Sequence, residues 1–266
     1  MPAERTREIY RAAFDGSELV DISSLLQVQR RRKTVYEIGK VRIASEISCI
    51  GLEAFERLVD VGASGVELAA GVEREIMARG TGCQGALRVR AYAQVAVGPD
   101  ESAIGYRPNA VSTRRRLERG DVALLELGVV ADGYWADRTR VRVAGNPTEE
   151  QLKVFDAVRK AQEAAAAAIH PGISGAEVDE IARSVIRDAG YAGFFPHITG
   201  HGLGFCYHES LPKLAPGETD PLEQGMVTSV EPVVYFKPCG GFRIEDDLLV
   251  TQNGSETLGP FRKSLT

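Results

Sequence analysis

Two stretches of this chain, 105 residues apart, end in glutamate at matching positions. Glu126 ends the first stretch and Glu231 the second, and each is followed by a turn and a further carboxylate, Asp137 and Glu245 respectively. Carboxylates that lie close together without compensation repel one another and raise their own pKa values. A single such residue is most often an ordinary exposed strand residue. Four at repeat-matched positions instead predict a site for one or two divalent cations.

A glycine-rich loop adds nitrogen ligands to these oxygens. Three of the four histidines, His197, His201 and His208, lie within twelve residues. The fourth, His170, precedes a proline at a predicted helix end, where an interaction with the helix dipole is expected. Carboxylates with an imidazole suit Mn, Fe, Co or Zn. Two such ions about 3.5–4 Å apart can share bridging carboxylates and a hydroxide nucleophile, and a free imidazole can act as an acid or base near neutral pH.

Arg243 lies two residues before Glu245, and alternation along a strand puts both side chains on one face. Its guanidinium could orient a ligand carboxylate, or bind a carboxylate of the substrate through two hydrogen bonds. The alternative is a salt bridge within the strand, to Glu245 or Asp247. The sequence favours neither interpretation.

The two-fold repetition extends to the helices that must position these groups. Apolar residues at spacings of three and four predict a helix from Val35 to Leu58, and a long helix is also expected from about Thr148 to Ile169. Each is followed by a helix that opens with the Ser–Glu capping-box pattern and closes with glycine, Ser64 to Gly80 and Ser174 to Gly190. The copies are 110 residues apart here, and 105 and 108 apart at the carboxylates. A repeat of this length predicts two pseudo-symmetric halves that close around one site, and it excludes a solenoid.

Strands are predicted after each pair of helices. Asp132-Gly133 is a signal for a tight hairpin, and residues 238–241 play the same part in the second half. Each hairpin should therefore bring its two carboxylates onto neighbouring strands that face one pocket. The predicted strands are Leu87–Val97, Val122–Leu127, Tyr134–Val143, Val227–Tyr235 and Phe242–Val250.

The composition excludes several classes of function. The chain has 266 residues, 44% of them hydrophobic, which is enough for one large domain or two packed halves. A net charge of −5 does not indicate a protein that binds nucleic acid or a membrane surface. No apolar stretch reaches membrane-spanning length, and the amino terminus has no apolar core like that of a signal peptide, so a cytoplasmic protein is expected. The four cysteines are far apart, which argues against a disulfide framework or a zinc-thiolate site.

In combination, these residues resemble the pita-bread metallopeptidases, family M24, which comprise methionine aminopeptidases, aminopeptidase P and prolidase, with creatinase as a relative. The similarity covers roughly Tyr36 to the end of the chain and looks closer to the Xaa-Pro branch than to methionine aminopeptidase. The motifs that carry it are Asp137–Arg140, His197 followed by the His201-Gly-Leu-Gly turn, His208-Glu209, Val230–Pro232 and Arg243–Asp247.

The resemblance implies a fold and a domain organisation. The fold would be the α+β pita-bread fold, with two pseudo-symmetric halves in which helices cover a curved antiparallel sheet. Residues 33–266 would form the catalytic domain. Residues 1–32 would be the linker, or remnant, of an amino-terminal domain that is itself absent from this sequence.

The resemblance also implies roles for individual residues. Asp137 and Glu245 would bridge two metal ions, and Glu231 would take the proton of the nucleophilic water. His208 would contact the substrate carbonyl as a catalytic group. His197 and Arg243 would line the substrate pocket, with His197 also counted among the catalytic residues. The implied metal ligands are Glu126, Asp137, His201, Glu231 and Glu245.

The chain departs from the family pattern at two places. The family has aspartate at the position of Glu126, and the extra methylene moves the carboxylate outward by about 1.5 Å, whereas metal–oxygen bonds tolerate about ±0.2 Å. One ion must then shift, Glu126 must fold back, or one of two sites is weak or lost. The family also has a histidine where this chain has Gly105 or Tyr106. That histidine helps with substrate binding and with proton handling at the leaving group.

Three hypotheses about function follow. The first is a metal-dependent hydrolase of Xaa-Pro peptidase type, like aminopeptidase P or prolidase, that cleaves a small peptide or amide bond with a metal-bound hydroxide and two divalent ions, manganese among them. The second is a pita-bread enzyme whose altered site holds one ion or a changed pair and acts on a non-peptide small molecule. The third is a binding module that has lost catalysis. The expected partner is a small peptide or small molecule, neither nucleic acid nor a membrane is expected, and a homodimer is left open.

Overall fold

The computed structural model describes residues 3–14, 16, 20–104 and 112–266. Within them the helices are α1 (Ala3–Ala13), α2 (Ser23–Arg31), α3 (Val35–Leu58), α4 (Gly65–Gly80), α5 (Gly98–Ser102), α6 (Glu149–Ala168) and α7 (Gly175–Asp188). The strands are β1 (Val89–Val97), β2 (Val122–Ala131), β3 (Tyr134–Val143), β4 (Gly200–Gly202), β5 (Glu209–Leu214), β6 (Val227–Val230), β7 (Val233–Phe236), β8 (Gly240–Arg243), β9 (Asp246–Val250) and β10 (Ser255–Thr257). None of the described helices is long and apolar enough to cross a lipid bilayer.

Side-chain caps determine where the long helices begin. Thr34, Ser64, Thr148 and Ser174 each accept a hydrogen bond from the backbone N–H three residues later. The N–H of each cap in turn donates to the Glu or Gln side chain at that later position. These capping boxes satisfy amide groups that a helix start leaves without partners. They confirm the predicted capping boxes of α4 and α7.

Each half of the chain pairs two helices with antiparallel strands. In the first half, α3 and α4 pack on a sheet with the strand order β1-β2-β3. In the second half, α6 and α7 pack against strands that form the sheet β10-β9-β6-β4-β5 and the hairpin β7-β8. This is the predicted α+β architecture of two related halves.

Strand β2 lies between the two hydrophobic cores because its successive side chains point to opposite sides. Leu125 and Leu127 belong to the core under α3 and α4, whereas Val122 and Leu124 belong to the core shared with the second half. Glu126 falls on the side of Val122 and Leu124. The alternation of β2 therefore turns a carboxylate towards the junction of the halves.

Strand β3 uses both faces in the same way. Asp137 and Thr139 face the junction, while Arg138 and Arg140 point to the other side, where both guanidinium groups donate to Asp246 Oδ1 at 2.7 Å. They also donate to backbone carbonyls of the carboxy-terminal segment. Burial alone would raise the pKa of Asp246, but the two guanidinium groups hold that pKa well below its usual value. Asp246 therefore stays charged, and its ion pairs with Arg138 and Arg140 connect the start of β9 to β3.

Two predicted strands of the second half are interrupted, and the interruptions have a common cause. The strand predicted from Val227 to Tyr235 breaks into β6 and β7 at Glu231 and Pro232, and the strand predicted from Phe242 to Val250 breaks into β8 and β9 after Arg243. At each break the chain leaves one sheet for the other, since β6 pairs with β9 and β7 pairs with β8. Proline has no N–H to continue a ladder. Both carboxylates of this half therefore lie at breaks rather than within continuous strands.

We expect the Arg138→Ala variant to be less stable to unfolding by about 3–5 kcal/mol, because it leaves Asp246 buried with only Arg140 and Lys263 as cationic partners. Urea denaturation in a chelating buffer measures the change. Arg187→Ala is the matched control, since Arg187 is half exposed and its ion pair with Glu180 lies at the surface; it should change stability by about 0.5 kcal/mol or less. Equal midpoints for the two variants would show that the buried cluster does not brace the fold.

Candidate metal centre

Five side chains from separate strands and breaks meet at the junction of the halves. Glu126 comes from β2, Asp137 from β3 and His201 from β4, while Glu231 directly follows β6 and Glu245 directly precedes β9. With His208, their ligand atoms form three overlapping groups, within each of which all atoms lie within 4.8 Å of one another. The groups are Asp137, His201 and His208; His201, Glu231 and Glu245; and Glu126, Asp137 and Glu245. The structure thus brings together all five implied ligands, whose binding of metal stays a prediction.

Three buried atoms of these groups accept no hydrogen bond from any described residue. They are Asp137 Oδ2, His201 Nε2 and Glu245 Oε1. Buried polar atoms are nearly always satisfied, so an unsatisfied one requires an explanation. Acceptors that converge without donors fit a cation, which supplies positive charge where the protein supplies no hydrogen. The set of carboxylates with imidazole is one that Mn, Fe, Co and Zn accept.

The ring of His201 is oriented as a metal ligand would be. Its Nδ1 lies 2.9 Å from the carbonyl oxygen of Gly202, and a proton on Nδ1 satisfies that contact. Nε2 then carries a lone pair and lies 3.4 Å from both Asp137 Oδ2 and Glu231 Oε1. A hydrogen bond from the other ring nitrogen to a backbone carbonyl commonly fixes the tautomer of a metal-binding histidine.

Burial and mutual repulsion shift the pKa values of the carboxyl groups. Burial, followed by the charges of Glu245 and Asp247, raises the pKa of Asp137 well above its usual value. Burial, followed by the charges of Glu245 and Asp137, does the same to the pKa of Glu231. Both groups therefore hold protons more tightly than exposed carboxyls do, and a cation would have to displace those protons.

Glu126 is bound on both of its oxygens. Oε1 accepts a hydrogen bond from the Tyr207 hydroxyl at 2.6 Å, and Oε2 forms an ion pair with Arg243. An oxygen of Glu126 still lies within 4.8 Å of ligand atoms of Asp137 and Glu245. The longer side chain is accommodated within the group and not displaced from it.

Arg243 is buried, and its guanidinium group contacts other side chains of the protein. Its Nε donates to Thr139 Oγ1 at 2.9 Å and its Nη1 donates to the Tyr235 hydroxyl at 3.0 Å. Its Nε lies 4.0 Å from Glu245 Oε2, whereas its ion pair with Glu126 is in direct contact. These contacts support the interpretation in which Arg243 orients a ligand carboxylate. Its role in lining the substrate pocket stays a prediction.

The other two histidines lie on different sides of the centre. His208 Nε2 lies 3.7 Å from Asp137 Oδ2, and its side chain is 59% exposed, so it can meet a ligand that enters from solvent. Partial burial of the His208 ring, followed by the neighbouring His201, lowers the pKa of His208 to about 4, which leaves the ring neutral at pH 7. His197 is more enclosed: its Nδ1 lies 2.8 Å from the carbonyl oxygen of Ile198, and its Nε2 lies 3.3 Å from the Tyr235 hydroxyl.

Two positions of the sequence analysis lie outside the described residues. They are Gly105 and Tyr106, where the family has a histidine. The consequence of that departure stays a prediction.

Sequence reasoning missed three groups that support the ligands. Tyr207 contacts Glu126 and Asp137, Thr139 Oγ1 donates to Glu245 Oε2 at 2.7 Å, and Ser229 Oγ donates to Glu231 Oε1 at 3.3 Å. Thr139 and Ser229 each lie two residues from a predicted ligand, so strand alternation could have identified them. No spacing rule indicates Tyr207, which reaches Glu126 from a loop of the other half.

Known proteins resemble this chain in sequence and in overall structure. The sequence profile described as metallopeptidase family M24 matches residues 39–252. An uncharacterized peptidase of Staphylococcus saprophyticus is 34% identical over 260 residues, covering 98% of this chain and 71% of that protein. The Xaa-Pro dipeptidase of Pyrococcus furiosus is 32% identical over 258 residues, covering 97% of this chain and 71% of that protein. The crystal structure of the prolidase from Pyrococcus horikoshii superposes with a TM-score of 0.89 at 32% identity, covering 100% of this chain and 74% of that one.

We expect the affinity for Mn²⁺ to rise with pH, because Asp137 and Glu231 must lose protons for the ion to bind. The gain is about tenfold per pH unit for each proton released. For the same reason the ion-free protein should lose stability as the pH rises from about 4 through the raised pKa values of these two carboxyls. Calorimetric titration of the wild type and of Glu231→Gln in buffers of different ionisation enthalpy counts the protons. An affinity that does not change between pH 5 and 8 would contradict the raised pKa values.

Proposed function

The chain belongs to metallopeptidase family M24, and from this membership we propose that it hydrolyses a small peptide or amide of Xaa-Pro type at the junction of its two halves. The proposed ions are two divalent cations of the group Mn, Co, Fe and Zn. Their proposed ligands are Glu126, Asp137, His201, Glu231 and Glu245. The fold is the pita-bread fold of the prolidases with which it superposes.

The convergence of three unsatisfied buried acceptors carries the proposal. Asp137 Oδ2, His201 Nε2 and Glu245 Oε1 come from three different segments and belong to overlapping groups of ligand atoms. Leaving such atoms unpaired inside a protein costs free energy. A site in which three buried acceptors stay unpaired is more consistent with binding of cations than with a purely structural cluster.

Divalent ions, when bound, supply Lewis acidity, which polarises a carbonyl and lowers the pKa of water towards about 7. The protein supplies the remaining functions. Asp137, His201 and Glu245 each belong to two groups of ligand atoms, and of these three the two carboxylates have a second oxygen with which to bridge two ions. Glu231 Oε1 lies 3.4 Å from His201 Nε2 and accepts a hydrogen bond from Ser229, which places its carboxylate at the centre, where it suits a group that takes a proton from the attacking water and returns it to the leaving group.

His208 is placed to contact the substrate. Its exposed ring lies at the edge of the centre, next to Asp137, and its neutral state at pH 7 allows one ring nitrogen to donate to the carbonyl oxygen of a scissile bond. His197 lies deeper and is fixed between Ile198 and Tyr235, where it would form part of the pocket wall. Arg243 acts on the same wall through Tyr235.

A second candidate function rests on Glu126. Both of its oxygens already have protein partners, Tyr207 and Arg243. A centre in which one ligand is shared in this way could hold an unequal pair of ions, or one ion, and act on a non-peptide small molecule. A substrate screen that finds no turnover of any dipeptide, with the protein fully loaded with metal, would favour this candidate over the first.

We expect Glu231→Gln to reduce kcat for Xaa-Pro dipeptides at least about 100-fold, because the amide cannot take the proton from water. Elemental analysis of the same sample reports how far the change also lowers the metal content. Glu256→Gln is a control, since Glu256 pairs with Arg42 at the surface. Wild-type rates for Glu231→Gln on every dipeptide tested would show that the assigned role of Glu231 is wrong.

A further inference from the structure

One side chain in contact with the centre has no role in the function proposed above. The hydroxyl oxygen of Tyr207 lies 2.6 Å from Glu126 Oε1 and 2.9 Å from Asp137 Oδ1. A phenol has one proton and can donate to one of these oxygens at a time. It therefore lies between two proposed ligands, within hydrogen-bond distance of both.

The contact joins the two halves of the molecule. Glu126 lies on β2 of the first half, and Tyr207 lies in the connection between β4 and β5 of the second half, 81 residues later. The Glu126 side chain has more rotatable bonds than an aspartate, and its position must be fixed by contacts. Tyr207 holds one oxygen and Arg243 holds the other, so the carboxylate is restrained at both ends.

The ring of Tyr207 packs between a glycine and two aromatic rings. It lies over Gly128, where a Cβ atom would come within 2.8 Å of Tyr207 Cε2. Its centroid is 5.2 Å from that of Trp135 and 4.5 Å from that of His208. Glycine on β2 and aromatic rings on two sides thus set the position of the hydroxyl.

From these contacts we infer that Tyr207 is a positioning residue for metal binding, which holds the carboxylate of Glu126 against Asp137. Glu126 and Tyr207 are a matched pair: the longer side chain reaches the hydroxyl, and the hydroxyl keeps the longer side chain in the ligand group. An aspartate at position 126 would withdraw the carboxylate by about 1.5 Å and lose the contact. The inference rests on the proposed function, since it assumes that ions bind at these carboxylates.

The pair predicts an effect on one ion and not the other. Tyr207 makes its shorter hydrogen bond, at 2.6 Å, to Glu126, which belongs to one of the three groups, that with Asp137 and Glu245. Among the described residues Tyr207 has no hydrogen bond to His201 or Glu231. Loss of a hydrogen bond that orients a metal ligand typically lowers metal affinity about 10–100-fold. Tyr207→Phe should weaken one binding step by that factor and leave the other within about twofold of the wild type.

The experiment is a titration of the metal-free full chain with Mn²⁺, and with Co²⁺ followed by its visible spectrum. Four proteins form a double-mutant cycle: wild type, Tyr207→Phe, Glu126→Asp and the double variant. Tyr92→Phe is the matched control, because Tyr92 also stacks near Trp135, at 5.5 Å, but its ring is exposed. Thermal melting of each metal-free protein checks that the phenylalanine retains the packing.

We expect Tyr207→Phe and Glu126→Asp each to lower the metal affinity of the same binding step. The double variant should bind metal no more weakly than the single variant with the lower affinity. Tyr92→Phe should bind metal as the wild type does. If the double variant loses affinity by the product of the two single losses, Tyr207 and Glu126 act independently and the inferred pairing is wrong. Unchanged affinities in Tyr207→Phe, or an additional ion gained by it, would overturn the positioning role. A wild type that binds no divalent ion would instead refute the proposed function, so the two failures are distinguishable.

Discussion

Like-charge repulsion among buried carboxylates is the constraint on which the rest of this structure depends. Glu126, Asp137, Glu231 and Glu245 meet at the junction of the halves, and among the described residues Arg243 is the only arginine or lysine that forms ion pairs with their carboxylates. Burial, followed by the repulsion of four carboxylates that have one guanidinium partner, favours the protonated forms and raises the pKa values of Asp137 and Glu231 well above their usual values. Divalent ions offset this repulsion, in keeping with the family to which the chain belongs.

The fold separates this cluster from a second set of buried charges only one residue away. Glu245 faces the centre with an unsatisfied oxygen, whereas Asp246 faces the other side and accepts hydrogen bonds from Arg138 and Arg140. Strand β3 is divided in the same way, with Asp137 towards the centre. The charge of Asp246 is therefore compensated by ion pairs within the protein, whereas Glu245 keeps an oxygen that a ligand can compensate. The alternation of β-strands makes this division possible within a few residues.

Contacts of its own carboxylate accommodate Glu126 at the position where the family pattern has aspartate. The extra methylene of Glu126 carries its carboxylate to the Tyr207 hydroxyl and the Arg243 guanidinium while keeping it near Asp137 and Glu245. Arg243 in turn donates to Tyr235, which contacts His197, so hydrogen bonds link the proposed ligands to the proposed pocket wall. A change in one ligand can thus be transmitted to groups that would contact a substrate.

Much of this protein was determined by local sequence. The capping boxes at Ser64 and Ser174, the Asp132-Gly133 turn and the repeat of carboxylates depend on short-range backbone chemistry and on spacing, so they were predictable. The five proposed ligands were also identified in this way. Pro232 marks the break after Glu231 in the sequence, since proline cannot continue a ladder. Tertiary structure alone decided the break after Arg243, where the chain changes sheets. It also decided that Arg243 pairs with Glu126 and that Tyr207 reaches the centre, because both contacts join residues about 80 to 120 positions apart, and such pairs are set by packing of the halves and not by periodicity along the chain.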